Sequence, residues 1–157
     1  MAAYDLFKQA LTLDPSLSDA HLGLARALIV QWDYGSVEDF APSVRQAQES
    51  ALQAGALDPQ AQYVLAQISH WARDVGAAIA HASRAIELNG NFALGHFYLG
   101  IALSRDGRHE AALEAIERGW RLSSRDPPGL DLARQQGPGA YHLRSYEEAV
   151  ETVLATR

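Results

Sequence analysis

The sequence has no cysteine. That single absence excludes a disulfide framework, a thiolate zinc site and a cysteine nucleophile together. Basic side chains are also in short supply, with 13 Lys and Arg against 19 Asp and Glu. The resulting net charge of −6 argues against a nucleic-acid partner, because affinity for a phosphate backbone comes mostly from Lys and Arg contacts. Long apolar runs are missing too, and no stretch approaches the roughly 18 residues needed to span a bilayer. No basic segment followed by an apolar one opens the chain, so neither a secretory leader nor a membrane partner is expected, and the expected location is cytoplasmic. No run alternates apolar and polar residues with β-branched enrichment, so no sheet is expected.

Signatures of chemistry are equally scarce. The chain contains no HExxH pair, no GxSxG elbow, no P-loop and no dinucleotide fingerprint. His70, His81, His109 and His142 show no metal-ligand spacing, and Gly137-Pro138-Gly139 is too short and stiff to cradle a phosphate. His21 and His96 stand at equivalent places in a repeat, where packing explains them better than ligation. No catalytic residue, cofactor or metal is expected, and the chain reads as a non-enzyme.

What is present is an ordinary globular balance, with 48% hydrophobic and 20% charged residues over 157 positions, enough for one domain with a sizeable core. Alanine dominates the apolar set, as suits helices packed at close range. A repeat organises it. The helix ends Ala10-Leu11-Thr12-Leu13-Asp14-Pro15, Ala54-Gly55-Ala56-Leu57-Asp58-Pro59 and Ala85-Ile86-Glu87-Leu88-Asn89-Gly90 resemble one another, as does, more loosely, Gly119-Trp120-Arg121-Leu122-Ser123-Ser124. They begin at 10, 54, 85 and 119, at intervals of 44, 31 and 34 residues. The most regular copy spans 93–126. There Leu99-Gly100 and Leu103 lie on one helix, Gly107 ends it, and Ala112, Ile116 and Gly119 lie on the next. Helices are expected near 2–13, 18–31, 42–56, 60–73, 76–88, 93–106 and 109–122, with a turn of helix within 128–136 and a last helix from about 140 or 145 to 156.

Spacing, residue size and turn residues together resemble the tetratricopeptide-repeat (TPR) family, whose period is about 34 residues. His96 stands where the family usually has a large aromatic. The resemblance implies an all-α, right-handed TPR solenoid of antiparallel helix pairs in a single domain. It would comprise a half repeat at 1–17, full repeats at 18–59, 60–90 and 93–126, and an irregular last repeat at 127–157 broken by Gly137-Pro138-Gly139. The first full repeat carries a long insertion, Trp32 to Ala41, in which Trp32, Tyr34 and Phe40 either close a local satellite core or line a lip for a ligand.

This loop and the Leu122-Ser123-Ser124-Arg125-Asp126-Pro127 ending are similar to TPR regions that accompany bacterial class III adenylate/guanylate cyclases or winged-helix regulators. The resemblance implies a protein–protein interaction scaffold within a larger bacterial signalling protein, with the catalytic or DNA-binding part elsewhere. In the family, the first helix of each repeat lines a concave groove that holds the partner. Carried over, those positions are Leu22, Arg26 and Ile29, then Tyr63, Gln67, His70 and Trp71, then Phe97, Ile101, Ser104 and Arg105. Tyr63 and Phe97 are expected to form one aromatic stripe. The Lys and Asn residues of a carboxylate clamp are absent, so a hydrophobic helix or extended segment of a partner protein fits better. The alternatives are a homodimer formed through the groove or the open ends, where Leu6, Phe7, Leu11 and Leu13 lack a preceding helix, or a structural spacer beside a cyclase or DNA-binding domain.

Overall fold

In the computed structural model, residues 3–33 and 40–123 are described. They form helices α1 (Ala3–Leu13), α2 (Ser18–Asp33), α3 (Phe40–Ala54), α4 (Pro59–Trp71), α5 (Val75–Leu88), α6 (Ala93–Arg105) and α7 (His109–Ser123), with no strand among the described residues. The expected last repeat, with its Gly137-Pro138-Gly139 break, lies outside them.

Local chemistry sets the helix ends. Asp58 caps α4 by accepting the Gln60 N–H at 2.8 Å, and Pro59 follows in the first turn, where its missing N–H costs nothing. Asp74 caps α5 through the Ala77 N–H at 2.9 Å. The α4–α5 and α6–α7 turns are built alike. Arg73 N–H donates to the His70 carbonyl and Asp74 N–H to that of Ser69, while Gly107 and Arg108 repeat the pattern onto Ser104 and Leu103. Such a turn needs a left-handed residue just past the helix. Gly107 takes φ 80° without strain, whereas Arg73 is forced to φ 60°.

The helices pair in sequence. α2/α3, α4/α5 and α6/α7 are hairpins, α3 leans on α4 and α5 on α6, and α1 packs on α2. In addition α2 touches α4 and α4 touches α6, so the first helices form a row of their own, with the second helices behind it. This is a helical solenoid.

Small residues at the crossings make close approach possible. A Cβ on Gly100 would stand 2.5 Å from Ile116 Cγ1 and 3.0 Å from the Ala112 carbonyl oxygen, and the Phe7 ring lies directly over Gly23. The largest apolar cluster among the described residues runs through three helices, with Tyr4 of α1 packed at its edge: Leu22, Ala25, Leu28, Ile29 and Trp32 of α2, Val44, Ala47, Ala51 and Ala54 of α3, and Ala61, Val64, Leu65 and Ile68 of α4. Each large side chain fully removed from water there contributes about 1.5–3 kcal/mol.

Trp32 corrects the reading of the insertion. It sits in the last turn of α2, only 4% exposed, and its indole N–H donates to Ser43 Oγ of α3 at 2.8 Å. It therefore belongs to the main core and not to a loop. Ala41 is likewise in α3, so the connecting stretch shrinks to 34–39. Tyr34 and the Phe40 side chain lie outside what is described.

Two histidines tie helices to the turns before them. His21 Nε2 meets the Pro15 carbonyl at 2.9 Å, and His96 Nε2 meets the Gly90 carbonyl at 3.0 Å, each reaching back six residues. The same latch thus occurs in two repeats, at the position where an aromatic was expected by resemblance. A third histidine bridges α4 and α5: His81 Nδ1 lies 2.9 Å from Gln62 Oε1, while Gln62 Nε2 donates to the Ala56 carbonyl at 3.0 Å. Burial holds the His81 imidazole below the usual histidine value, with Asp74 pulling in the opposite direction.

Candidate partner-binding face

The row α2, α4, α6 carries all the candidate residues. Each helix has a Leu followed by a small residue: Leu24-Ala25, Leu65-Ala66 and Leu99-Gly100. Counting from that leucine puts Leu22, Tyr63 and Phe97 two residues before it and Arg26, Gln67 and Ile101 two after. Ile29, His70 and Ser104 come five after, and Val30, Trp71 and Arg105 six after. The repeat thus lays them out as rows across three parallel helices.

Burial divides the rows. Leu22 and Ile29 sit inside the main core. His70 is 8% exposed, edge-on to Tyr98 with centroids 5.8 Å apart. Phe97 is 5% exposed, lies against Gly119 and meets Trp120 edge-on at 5.6 Å. Tyr63 turns to α6 differently, meeting Tyr98 at 5.5 Å and Phe92 at 5.8 Å, both edge-on. The expected Tyr63–Phe97 stripe is therefore replaced by two separate aromatic groups, one fastening α4 to α6 and one fastening α6 to α7. The physical reason is the small Gly119, which leaves a slot on α7 that the Phe97 ring fills.

What remains accessible is narrower than the full set. Tyr63, Gln67, Trp71, Ile101 and Ser104 are half-buried, and Arg26 and Arg105 are exposed. Gln67 Nε2 donates to Tyr63 Oη at 3.1 Å, fixing the two side chains on one turn of α4. Trp71 packs edge-on to Trp32 at 6.3 Å, so its ring is braced from beneath by the core. Ile101 touches both aromatic groups. The result is a strip with an apolar floor, polar atoms at Tyr63, Gln67 and Ser104, and an arginine toward each side. Val30 belongs with it, 43% exposed and in register with Trp71 and Arg105. Counting from the Leu–small pair would have found it in the sequence. Phe92, Tyr98 and Trp120, which hold the strip's floor, carried no such signal, because their roles depend on neighbouring helices.

Among the described residues no three His, Asp or Glu side chains come together as a metal site. No described helix is long and apolar enough to cross a membrane.

No protein-family profile matches the sequence, and no curated protein matches it. Solved structures do match in fold. A crystal structure of MamA has a TM-score of 0.58 at 22% identity, covering 98% of this chain and 88% of that one. A second MamA structure has a TM-score of 0.58 at 25% identity, covering 95% and 76%. YrrB, described as a TPR protein with an unusual peptide-binding site, has a TM-score of 0.54 at 22% identity, covering 94% and 71%. The chain has the tetratricopeptide-repeat fold. Within it, α2 meets α4 and α4 meets α6 directly, which brings the candidate residues onto one continuous row.

Proposed function

We propose that the chain is a protein–protein interaction scaffold that holds a peptide or an extended segment of a partner protein along its inner face, as a regulatory module of a larger bacterial signalling protein. The observation that carries this reading is the strip itself. Trp71, Tyr63 and Ile101 are half-exposed apolar groups held rigid from below, and rigid aromatic surface beside polar atoms costs little conformational entropy to use. YrrB, similar in fold, is described as having a peptide-binding site. The regulatory role rests on the sequence resemblance to TPR regions that accompany cyclases and winged-helix proteins.

Panning a random peptide library against the chain tests the proposal. Selected peptides should lose at least about tenfold in affinity for a Trp71→Ala/Ile101→Ala variant, which removes two apolar contacts from the strip and costs on the order of 1.4 kcal/mol or more. Circular dichroism would establish that the variant is folded. Undiminished binding would place capture on another face and overturn the proposal.

A second reading, self-association, draws on α1. None of its residues is buried, and it leaves Leu6 53% and Leu13 88% exposed. Exposed leucines of this kind suit pairing with a second copy. A spacer beside a cyclase or DNA-binding domain would need neither surface.

A further inference from the structure

The inner face differs from the rest of the molecule in its charges. In a chain of net charge −6, α4 and α6 contain no carboxylate at all, and α2 has them only at its two ends, Asp19 and Asp33. Cations on the outer helices have acidic neighbours on the same helix: Arg84 lies 2.9 Å from Glu87 and Arg121 lies 3.9 Å from Glu117. Arg26 has no such neighbour. Leu22, Gly23, Ile29 and Val30 occupy the positions three and four residues either side of it. Arg105 follows Ile101 and Ala102 on its helix, and its one adjacent carboxylate is Asp106 at the C-cap. Both guanidinium groups belong to exposed residues, and the strip between them offers Gln67, Trp71, Ile101 and Ser104.

The separation of the two arginines can be bounded from helix geometry. Two interaxial steps of about 8–10 Å part α2 from α6, and the four-residue offset between the rows adds about 6 Å along the axis. The two sites therefore lie roughly 20 Å apart, the span of about six residues of extended chain.

We propose that the partner segment is acidic and extended, with two carboxylates about six residues apart, one meeting Arg26 and the other Arg105. Apolar side chains between them lie over Trp71 and Ile101. Charge complementarity selects this occupant: exposed guanidinium groups with no ion pair among the described residues favour carboxylates, bidentately where geometry allows, and a basic segment would meet repulsion at both ends. This rests on the peptide-capture reading above and adds the chemistry of what is captured.

Fluorescence anisotropy with two dye-labelled heptapeptides tests it. One carries glutamate at both ends with Ala-Leu-Tyr-Leu-Ala between, and the other replaces both glutamates by glutamine. The acidic peptide should bind about tenfold more tightly. Arg26→Gln and Arg105→Gln should each weaken it about threefold, in keeping with solvent-exposed charge pairs, and leave the neutral peptide unaffected. A peptide with glutamates only three residues apart should behave as if it had one. Equal binding of the acidic and neutral peptides, or indifference of the acidic peptide to both arginine variants, overturns the proposal and leaves peptide capture standing. If neither heptapeptide binds but library-selected peptides do, the acidic chemistry is again refuted alone. If neither class binds, both readings fall.

Discussion

At the scale of single residues, Arg73 and Gly107 form a natural comparison. They end equivalent helices, 34 positions apart, with the same pair of backbone hydrogen bonds. The left-handed conformation costs a side-chain-bearing residue about 1–2 kcal/mol, and glycine's extra freedom in the unfolded chain takes back about 0.5–1. Arg73→Gly should therefore stabilise the protein by about 0.5–1 kcal/mol, and Gly107→Ala should destabilise it by about 1 kcal/mol, both read from urea unfolding. A loss of stability on Arg73→Gly would mean that the Arg73 side chain compensates for its strain. His81 makes a pH prediction. Its folded pKa lies below the unfolded value because of burial, so the unfolded chain takes up more protons as pH falls through the histidine range. This contribution is fully present above about pH 6.5 and declines below it. Urea midpoints at about pH 8 and pH 5.5 should differ less for His81→Gln than for the natural chain. Equal differences would refute the assignment.

At the scale of elements, what the sequence reveals depends on whether a signal is local. The observed helices fall within two residues of the stretches expected from periodicity, because Asp58, Asp74, Pro59 and Gly107 mark helix ends by their own chemistry. The contact of α2 with α4 and of α4 with α6 was also legible, since a repeat fixes which positions are equivalent. Side-chain destinations were not. Phe97 and Tyr63 are equivalent by position, yet Gly119 draws one toward α7 and Tyr98 holds the other on α6. Trp32 falls in the expected insertion because the 44-residue interval places its ten extra residues there, while the hydroxyl that satisfies its indole lies eleven residues away on α3. Helix pairing itself can be tested at Gly100. A methyl group there would collide with Ile116 and the Ala112 backbone, and the backbone cannot yield. Gly100→Ala should cost about 1–3 kcal/mol, despite alanine's better helix propensity. Stabilisation instead would mean that α6 and α7 are less closely packed than described.

For the whole molecule, the row α2, α4, α6 combines buried and accessible residues on the same helices. Buried Leu22, Ile29 and His70 join successive units and Phe97 locks α6 onto α7 within its own pair, while Arg26, Tyr63, Gln67, Trp71, Ile101, Ser104 and Arg105 stay at least partly open. A repeat array suits this division because each unit contacts mainly its neighbours, so stability accumulates along the stack while one face stays available. The self-association reading makes its own forecast at this scale. If α1 pairs with a second copy, light scattering after size exclusion should give a dimer that Leu6→Glu/Leu13→Glu converts to monomer. A monomer at all concentrations would remove that reading without touching the inner face.

The account depends most on where a partner segment lies, and amide chemical-shift mapping reads this directly. With the isotope-labelled chain and a library-selected peptide, the largest shifts should fall in α2, α4 and α6 around Arg26, Gln67, Trp71, Ile101 and Arg105. Shifts concentrated instead on α3, α5 and α7 would contradict the claim that the inner face is the binding surface.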